Sequence, residues 1–311
     1  MAVEDELRSR YGAVLNGDDH QFTTDELTAA MREYDVVLCT LTDDLSPRTI
    51  ESARGGRARL LANFGVGFNH IDLVAAANQG IAVTNTPGVL TEDTADLTML
   101  LILAVARRAG EGERELRAGQ WTGWRPTHLL GTRVNGKVLG IVGFGRIGQA
   151  VAARAHHGFG MKVLYHSRYQ ASQDIEQATG AARAESLEML LHDTDFLSLH
   201  TPATPDTRHL MNAARLAEMR SHAFLVNTSR GDVVDEEALL TALDERRIAG
   251  AALDVFDGEP AVNPRLRGRE DVVLLPHLGS ATVEGRVAMG RRAIANIDAF
   301  VAGRALPDRI V

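Results

Sequence analysis

Between Lys137 and Leu275 the chain repeats one pattern, a short run that is apolar almost throughout followed by a stretch with helical spacing. The runs are Lys137–Gly143, Met161–Tyr165, Phe196–His200, Ala223–Asn227, Ala251–Val255 and Val272–Leu275. Ile147–His157, Ser186–Leu191 and Glu236–Arg246 are helical spacers. A sheet with one wet face would alternate apolar and polar residues. Runs apolar on both faces belong to parallel strands covered by helices on each side. The pattern therefore predicts an α/β fold with a doubly wound parallel sheet. Upstream, Tyr34–Cys39, Ala58–Ala62 and Ile81–Thr84 predict three more strands, with helices at Thr24–Arg32 and Ile71–Gln79. Thr91–Arg117 reads as one long helix, apolar in its middle and charged at its end, that bridges two domains. Arg286–Gly303 reads as a final helix that packs back on the first domain, and 311 residues suffice for both domains.

Charge and composition narrow the partners. Net charge is 33 − 41 = −8 and the basic residues are scattered, which argues against nucleic acid and anionic membranes as main partners. A single cysteine, Cys39, allows no intramolecular disulfide and no cysteine metal cluster, and is expected to be a small buried hydrophobe. No metal site is expected. The first residues, MAVEDELRSR, are charged and lack an apolar signal region. The longest apolar stretch, Leu97–Ala106, is half of the ~20 residues that a membrane span needs. A cytoplasmic protein is expected.

Gly143-Phe144-Gly145-Arg146-Ile147-Gly148 matches G-x-G-x-x-G, and it ends an apolar strand and opens a helix, as a dinucleotide fingerprint requires. Gly143 would permit the tight turn, Gly145 the approach of the pyrophosphate, and Gly148 close helix–strand packing. The N–H groups of Arg146 and Ile147 would hold the anion. The next strand ends Tyr165-His166-Ser167-Arg168, without the acid that an NAD site usually places on the ribose. Ser167 can hydrogen-bond a 2′-phosphate and Arg168 can pair with it bidentately. NADP(H) is thus the expected cofactor, with NAD as the alternative.

Three later strands end in polar groups. Ala223–Asn227 leads to Thr228-Ser229-Arg230-Gly231-Asp232, Ala251–Val255 to Phe256-Asp257-Gly258-Glu259-Pro260, and Val272–Leu275 to Pro276-His277-Leu278-Gly279-Ser280. Ligands of open parallel sheets sit beyond the carboxyl ends of the strands, so these tips are expected to converge. Together with the glycine loop, these segments resemble the D-2-hydroxyacid dehydrogenase family. The resemblance extends to Leu61-Ala62-Asn63-Phe64-Gly65-Val66-Gly67-Phe68-Asn69-His70-Ile71-Asp72 and Thr84-Asn85-Thr86-Pro87-Gly88, and so covers nearly the whole chain. Within the family it is most similar to glyoxylate/hydroxypyruvate reductases.

The resemblance implies a Rossmann-type dinucleotide domain, residues 97–284, inserted in a smaller flavodoxin-like substrate domain, residues 1–96 and 285–311. It assigns Arg230, Glu259 and His277 as the catalytic set. The chemistry agrees: a 2-oxoacid needs a hydride at the carbonyl carbon and a proton for the developing alkoxide, and histidine suits the second task. Glu259 would orient the ring and raise the His277 pKa, and Arg230 would bind the substrate carboxylate and polarise the carbonyl. Thr201, Thr228, Ser229, Asp254 and Gly279 complete the expected cofactor contacts. Val66 and Gly67, with Asn63 nearby, are expected to grip the substrate carboxylate through backbone N–H groups, and Leu45 to line the substrate pocket. For Gly119–Thr132, with Trp121 and Trp124, the resemblance implies a dimer interface that brings Trp124 or His128 to the partner's site. Packing within one subunit is the alternative.

In one respect the sequence departs from the family. An apolar strand normally precedes the segment corresponding to Val3–Leu15 and is lacking, which leaves an open sheet edge in the first domain; either the start has been placed too late or another segment covers that edge. Two other readings fit the motifs. One is a lactate-, formate- or phosphoglycerate-type member of the family, the last usually with a regulatory domain for which the 311 residues leave no room. The other is a dinucleotide-sensing, corepressor-like scaffold with a similar fold.

Overall fold

The computed structural model describes residues 2–311 and divides into two compact units, Met1–Leu90 with Ala281–Val311, and Thr91–Ser280.

The first unit opens with α1 (Ala2–Tyr11), then α2 (Thr24–Glu33), β1 (Val36–Cys39), α3 (Pro47–Ser52), β2 (Leu60–Asn63), α4 (Leu73–Asn78) and β3 (Ala82–Thr84). Each boundary has a local cause. Thr23 and Glu26 close a capping box on α2, Pro47 opens α3, and the Asp72 carboxylate caps α4. The three strands pair in parallel in the order β1-β2-β3. Strand alternation sends Leu61 to a core with Met31, Ile50, Ile71 and Val83, and Leu60 and Ala62 to the opposite face with Leu7, Ile294 and Ile297. The chain's last residues cover β3, where Ile310 donates its N–H to Val83 O (2.8 Å) and Val83 donates to Val311 O (3.1 Å). β1 pairs only with β2 among the described residues and is the open edge. Cys39 is buried, and that burial pushes its thiol up.

The second unit runs α5 (Thr91–Ala106), α6 (Ala109–Arg117), β4 (Val138–Val142), α7 (Arg146–Phe159), β5 (Lys162–His166), α8 (Gln173–Thr179), β6 (Ala181–Arg183), α9 (Leu187–Asp193) and β7 (Phe196–Leu199). It continues through α10 (Ala213–Ala217), β8 (Phe224–Asn227), α11 (Glu236–Asp244), β9 (Gly250–Leu253), α12 (Pro264–Arg267) and β10 (Val272–Leu274). All seven strands are parallel, in the order β10-β9-β8-β7-β4-β5-β6. The order reverses between β7 and β4, the switch point where this class of sheet opens a ligand crevice. Ile141, Tyr165, Phe196 and Val226 pack on α5 and α7. Leu197, Leu225 and Leu253 pack on the other face against Leu190, Leu216 and Leu239. α13 (Val283–Val301) then returns to the first unit, where α1 lies on it.

One sequence expectation is corrected, and one strand has no counterpart among the sequence expectations. The stretch Thr91–Arg117 is two helices rather than one. Arg108 sits in the left-handed region (φ 52°), and the Ala106 carbonyl accepts from Thr132 N–H (2.7 Å) instead of continuing the ladder. Gly131 lies so close that a Cβ there would come within 2.4 Å of Ala106 O. The edge strand β6, only three residues long, lacks the apolar run that would announce it. No helix among the described residues is long and apolar enough to cross a membrane.

Candidate active site

The glycine loop takes its shape from three different constraints. Gly143 has φ 91°, and a Cβ there would lie 2.5 Å from His200 O. At Gly148 an added Cβ would meet Gly143 O at 2.4 Å, so both glycines are fixed by close backbone approach. Gly145 differs: a Cβ there meets nothing within 4 Å, so its missing side chain leaves open space at the N-terminus of α7. No side-chain cap hydrogen bond closes that end among the described residues. Phe144 stacks on Tyr165, ring centroids 3.9 Å apart, and so pins the loop to β5. Thr201 Oγ1 beside the loop is buried and has no hydrogen-bond partner among the described residues. Open space before uncapped N–H groups and an orphaned hydroxyl fit a pyrophosphate. Beyond β5, Ser167 hydroxyl donates to Tyr169 O, and Arg168 faces Asp206 (3.6 Å).

At the carboxyl end of β8 the Asn227 side chain folds the next three residues into a turn. Its Oδ1 accepts from Ser229 N–H (3.0 Å) and hydroxyl (2.7 Å), and its Nδ2 donates to Arg230 O (2.8 Å). Arg230 Nη1 donates to Ser229 O (2.6 Å). Burial pushes the guanidinium down from its ordinary value, against Glu259 and Asp232, whose charges favour the cation.

After β9, Glu259 uses both oxygens. Oε1 accepts from Phe256 N–H (2.8 Å), and Oε2 lies 2.7 Å from His277 Nδ1. Burial alone would raise this carboxyl. The His277 hydrogen bond and charge, the Phe256 N–H and the Arg230 cation outweigh it and hold Glu259 below the ordinary glutamate range. With Nδ1 turned to a carboxylate, Nε2 is the other face of the ring, and it takes no hydrogen bond among the described residues.

The loop after β10 is anchored by Asp254. Its Oδ1 accepts from Leu278 N–H (2.7 Å), its Oδ2 from Gly279 N–H (2.9 Å), and its carbonyl from His277 N–H (2.9 Å). His277 itself has φ 53°, a left-handed conformation that these bonds hold. Burial pushes Asp254 up to about 6 despite the N–H groups and His277, which lower it. Thr94 donates to Gly279 O (2.9 Å) and Thr98 bonds Thr228 (3.0 Å), so α5 braces two of the tips. Gly231 locks the β8 tip to the β9 tip, since a Cβ there would lie 1.8 Å from Phe256 C. Arg230, Glu259 and His277 are therefore joined through Gly231, Asp254 and the Glu259 hydrogen bonds. The braces Asn227, Gly231, Thr94 and Thr98 escaped sequence reasoning. Their signal is faint: two threonines four apart in a helix otherwise apolar in its middle.

In the first unit, the loop after β2 has its carbonyls tied down. Asn63 Nδ2 donates to Gly65 O (3.2 Å) and Gly67 O (2.9 Å), and Asn85 Nδ2 to Val66 O (2.9 Å). The Val66 and Gly67 N–H groups take no hydrogen bond among the described residues. Asn63 thus shapes the loop from inside, being buried. Leu45 is a correction: its side chain is 0% exposed and packs in the core with Ile50 and Ile71, held by a backbone bridge between Leu45 and Ile71. It does not line an open pocket.

Comparison with known proteins agrees with this geometry. Residues 99–279 match the family described as D-isomer specific 2-hydroxyacid dehydrogenase, NAD binding domain. The glyoxylate reductase of Thermococcus litoralis is 46% identical over 288 residues, 91% of this chain and 86% of that protein. The glycerate dehydrogenase of Hyphomicrobium methylovorum is 40% identical over 296 residues, 95% and 91% of the two chains. The crystal structure of the TT0316 protein from Thermus thermophilus superposes with a TM-score of 0.90 at 42% identity, covering 100% of this chain and 97% of that one. Matches of this length and identity make the chain an enzyme of the D-isomer-specific 2-hydroxyacid dehydrogenase family, an oxidoreductase that uses a pyridine nucleotide.

Proposed function

We propose that this enzyme reduces a small 2-oxoacid of the glyoxylate or hydroxypyruvate type to its 2-hydroxyacid, with NADPH as the preferred reductant. The observation that carries the reading is the 2.7 Å contact between Glu259 and His277 Nδ1, with Arg230 near enough to lower the Glu259 pKa. The Gly143–Gly148 loop would hold the dinucleotide, whose reduced nicotinamide would supply the hydride. Arg230 binds the substrate carboxylate and carbonyl oxygen and stabilises the negative charge that develops on that oxygen. His277 gives the alkoxide a proton from Nε2, while Glu259 holds the ring by Nδ1. Asp254 positions His277 through the backbone, and the Val66 and Gly67 N–H groups form a carboxylate cradle in the first unit. The glyoxylate reductases and the glycerate dehydrogenase among the relatives support the choice of substrate class. We further propose a cytoplasmic homodimer joined through the Gly119–Thr132 arm, in which Trp124 is 82% exposed.

Steady-state kcat/KM for glyoxylate, hydroxypyruvate, pyruvate and phenylpyruvate, each with NADPH and NADH, tests this reading. The two small polar oxoacids are expected to lead the series, with NADPH ahead of NADH. Phenylpyruvate in first place would overturn the substrate assignment, and a clear NADH preference the cofactor assignment.

A further inference from the structure

The strand pairing sets Arg183, the last residue of β6, beside Tyr165, next to the carboxyl end of β5. From there its guanidinium reaches the turn that follows β5, where Nη2 donates to Ser167 O (3.3 Å). Arg168 stands on the same turn, and its partner, Asp206, lies 3.6 Å away with both side chains largely in solvent, a weak and exchangeable pair. The ring of His166 reports the local field. Burial first, then the charges of Arg183 and Arg215, hold its pKa below the ordinary histidine value against the single opposing charge of Glu188. Arg168, Arg183 and Arg215 thus lie about the end of β5 with Glu176, Glu188 and Asp206, of which Glu176 is engaged by the Tyr165 hydroxyl (2.6 Å). One cation engages a carbonyl, which is neutral, and another a carboxylate that it can exchange.

We propose that Arg183 is a second specificity-determining residue for NADP(H), which grips the 2′-phosphate together with Arg168 across Ser167, while Asp206 competes with the phosphate for Arg168. The inference rests on the NADPH reading above. A phosphate dianion can accept from both guanidiniums at once, and charge-assisted bonds of this kind are the strong ones. A ribose hydroxyl carries no charge and gains nothing from a second cation. Arg183 therefore acts on the difference between the two dinucleotides and not on their shared parts.

Dissociation constants for NADPH, NADH and 2′,5′-ADP, measured by calorimetry on the wild type, Arg183→Gln, Arg168→Gln and Asp206→Asn, test the proposal without turnover. Arg183→Gln is expected to weaken NADPH and 2′,5′-ADP about tenfold and to leave NADH within about twofold. Asp206→Asn is expected to tighten NADPH by about two- to fivefold, with no change for NADH. If Arg183→Gln leaves the NADPH/NADH affinity ratio unchanged while Arg168→Gln abolishes it, the inference is wrong and the NADPH reading stands. A wild type that binds 2′,5′-ADP no better than 5′-AMP overturns both.

Discussion

His277 and Glu259 divide one task between a proton donor and an anion, and their roles separate under mutation. His277→Ala removes the proton donor and leaves the glycine loop intact. kcat is expected to fall by ~10²–10⁴ while the NADPH dissociation constant stays within about twofold. Unchanged turnover would remove His277 from the reaction. Glu259→Gln keeps the shape and removes the carboxylate charge beside the ring, so reductase kcat is expected to fall about tenfold or more while the NADPH dissociation constant stays within about twofold. The same substitution tests linkage. The folded pKa of Glu259 lies below the unfolded one, so its stabilisation is fully present above the ordinary glutamate range and is lost as pH falls through the lowered value. The variant should lose that part of the acid sensitivity of Tm, and an acid profile identical to wild type would exclude the coupling. The placing of Arg230, Glu259 and His277 beyond strand ends was legible in sequence because each is a polar group that follows an apolar strand. Leu45 was not, since a leucine after a strand reads alike as core or pocket wall. Only its bridge to Ile71 decides.

Among the elements, the glycine loop shows why one motif contains glycines of unlike purpose. Gly148→Ala drives a methyl group into Gly143 O and is expected to cost ~1–3 kcal/mol, seen as a Tm lowered by several degrees without ligand. Gly145→Ala meets no atom, so the ligand-free Tm is expected to stay within about 1 °C. Its methyl group fills the space before the N–H groups of α7, and the NADPH dissociation constant is expected to rise about tenfold or more. The opposite ranking of the two variants, in melting and in titration, would refute the division of roles. The alternation of apolar run and helix announced the seven-stranded sheet except for β6, whose Ala181-Ala182-Arg183 has no apolar period. Nor does the sequence mark the break between α5 and α6 with proline. The break comes from Thr132, 26 residues beyond Ala106 (132 − 106), whose N–H captures the Ala106 carbonyl. Local propensity cannot see a partner that distant. The braces Asn227 and Gly231 stayed hidden for the same reason, and Asp254, expected as a cofactor contact, has both carboxylate oxygens on the Leu278 and Gly279 N–H groups.

For the whole molecule, the unresolved balance is between apolar surface and charge. A net charge of −8 favours separate chains, yet Leu116, Trp121, Trp124 and Leu130, within fifteen residues of one another (130 − 116 + 1), are 62%, 51%, 82% and 65% exposed. Single exposed apolar groups are ordinary, but four large ones in one segment mark a surface that association would bury. A two-fold axis is the common way to close such a surface on itself, and a stable interface needs about 1,000 Å² or more. The wild type is therefore expected to sediment at twice 33.6 kDa at micromolar concentration. Trp124→Asp with Leu130→Asp places two carboxylates on that segment, and the variant is expected to sediment at 33.6 kDa with its cofactor affinity retained. Both side chains already face water in the single chain, so the substitutions take nothing from its core. A wild type that sediments as one chain, or a double variant that remains paired, would show that the arm serves some other purpose than joining two copies.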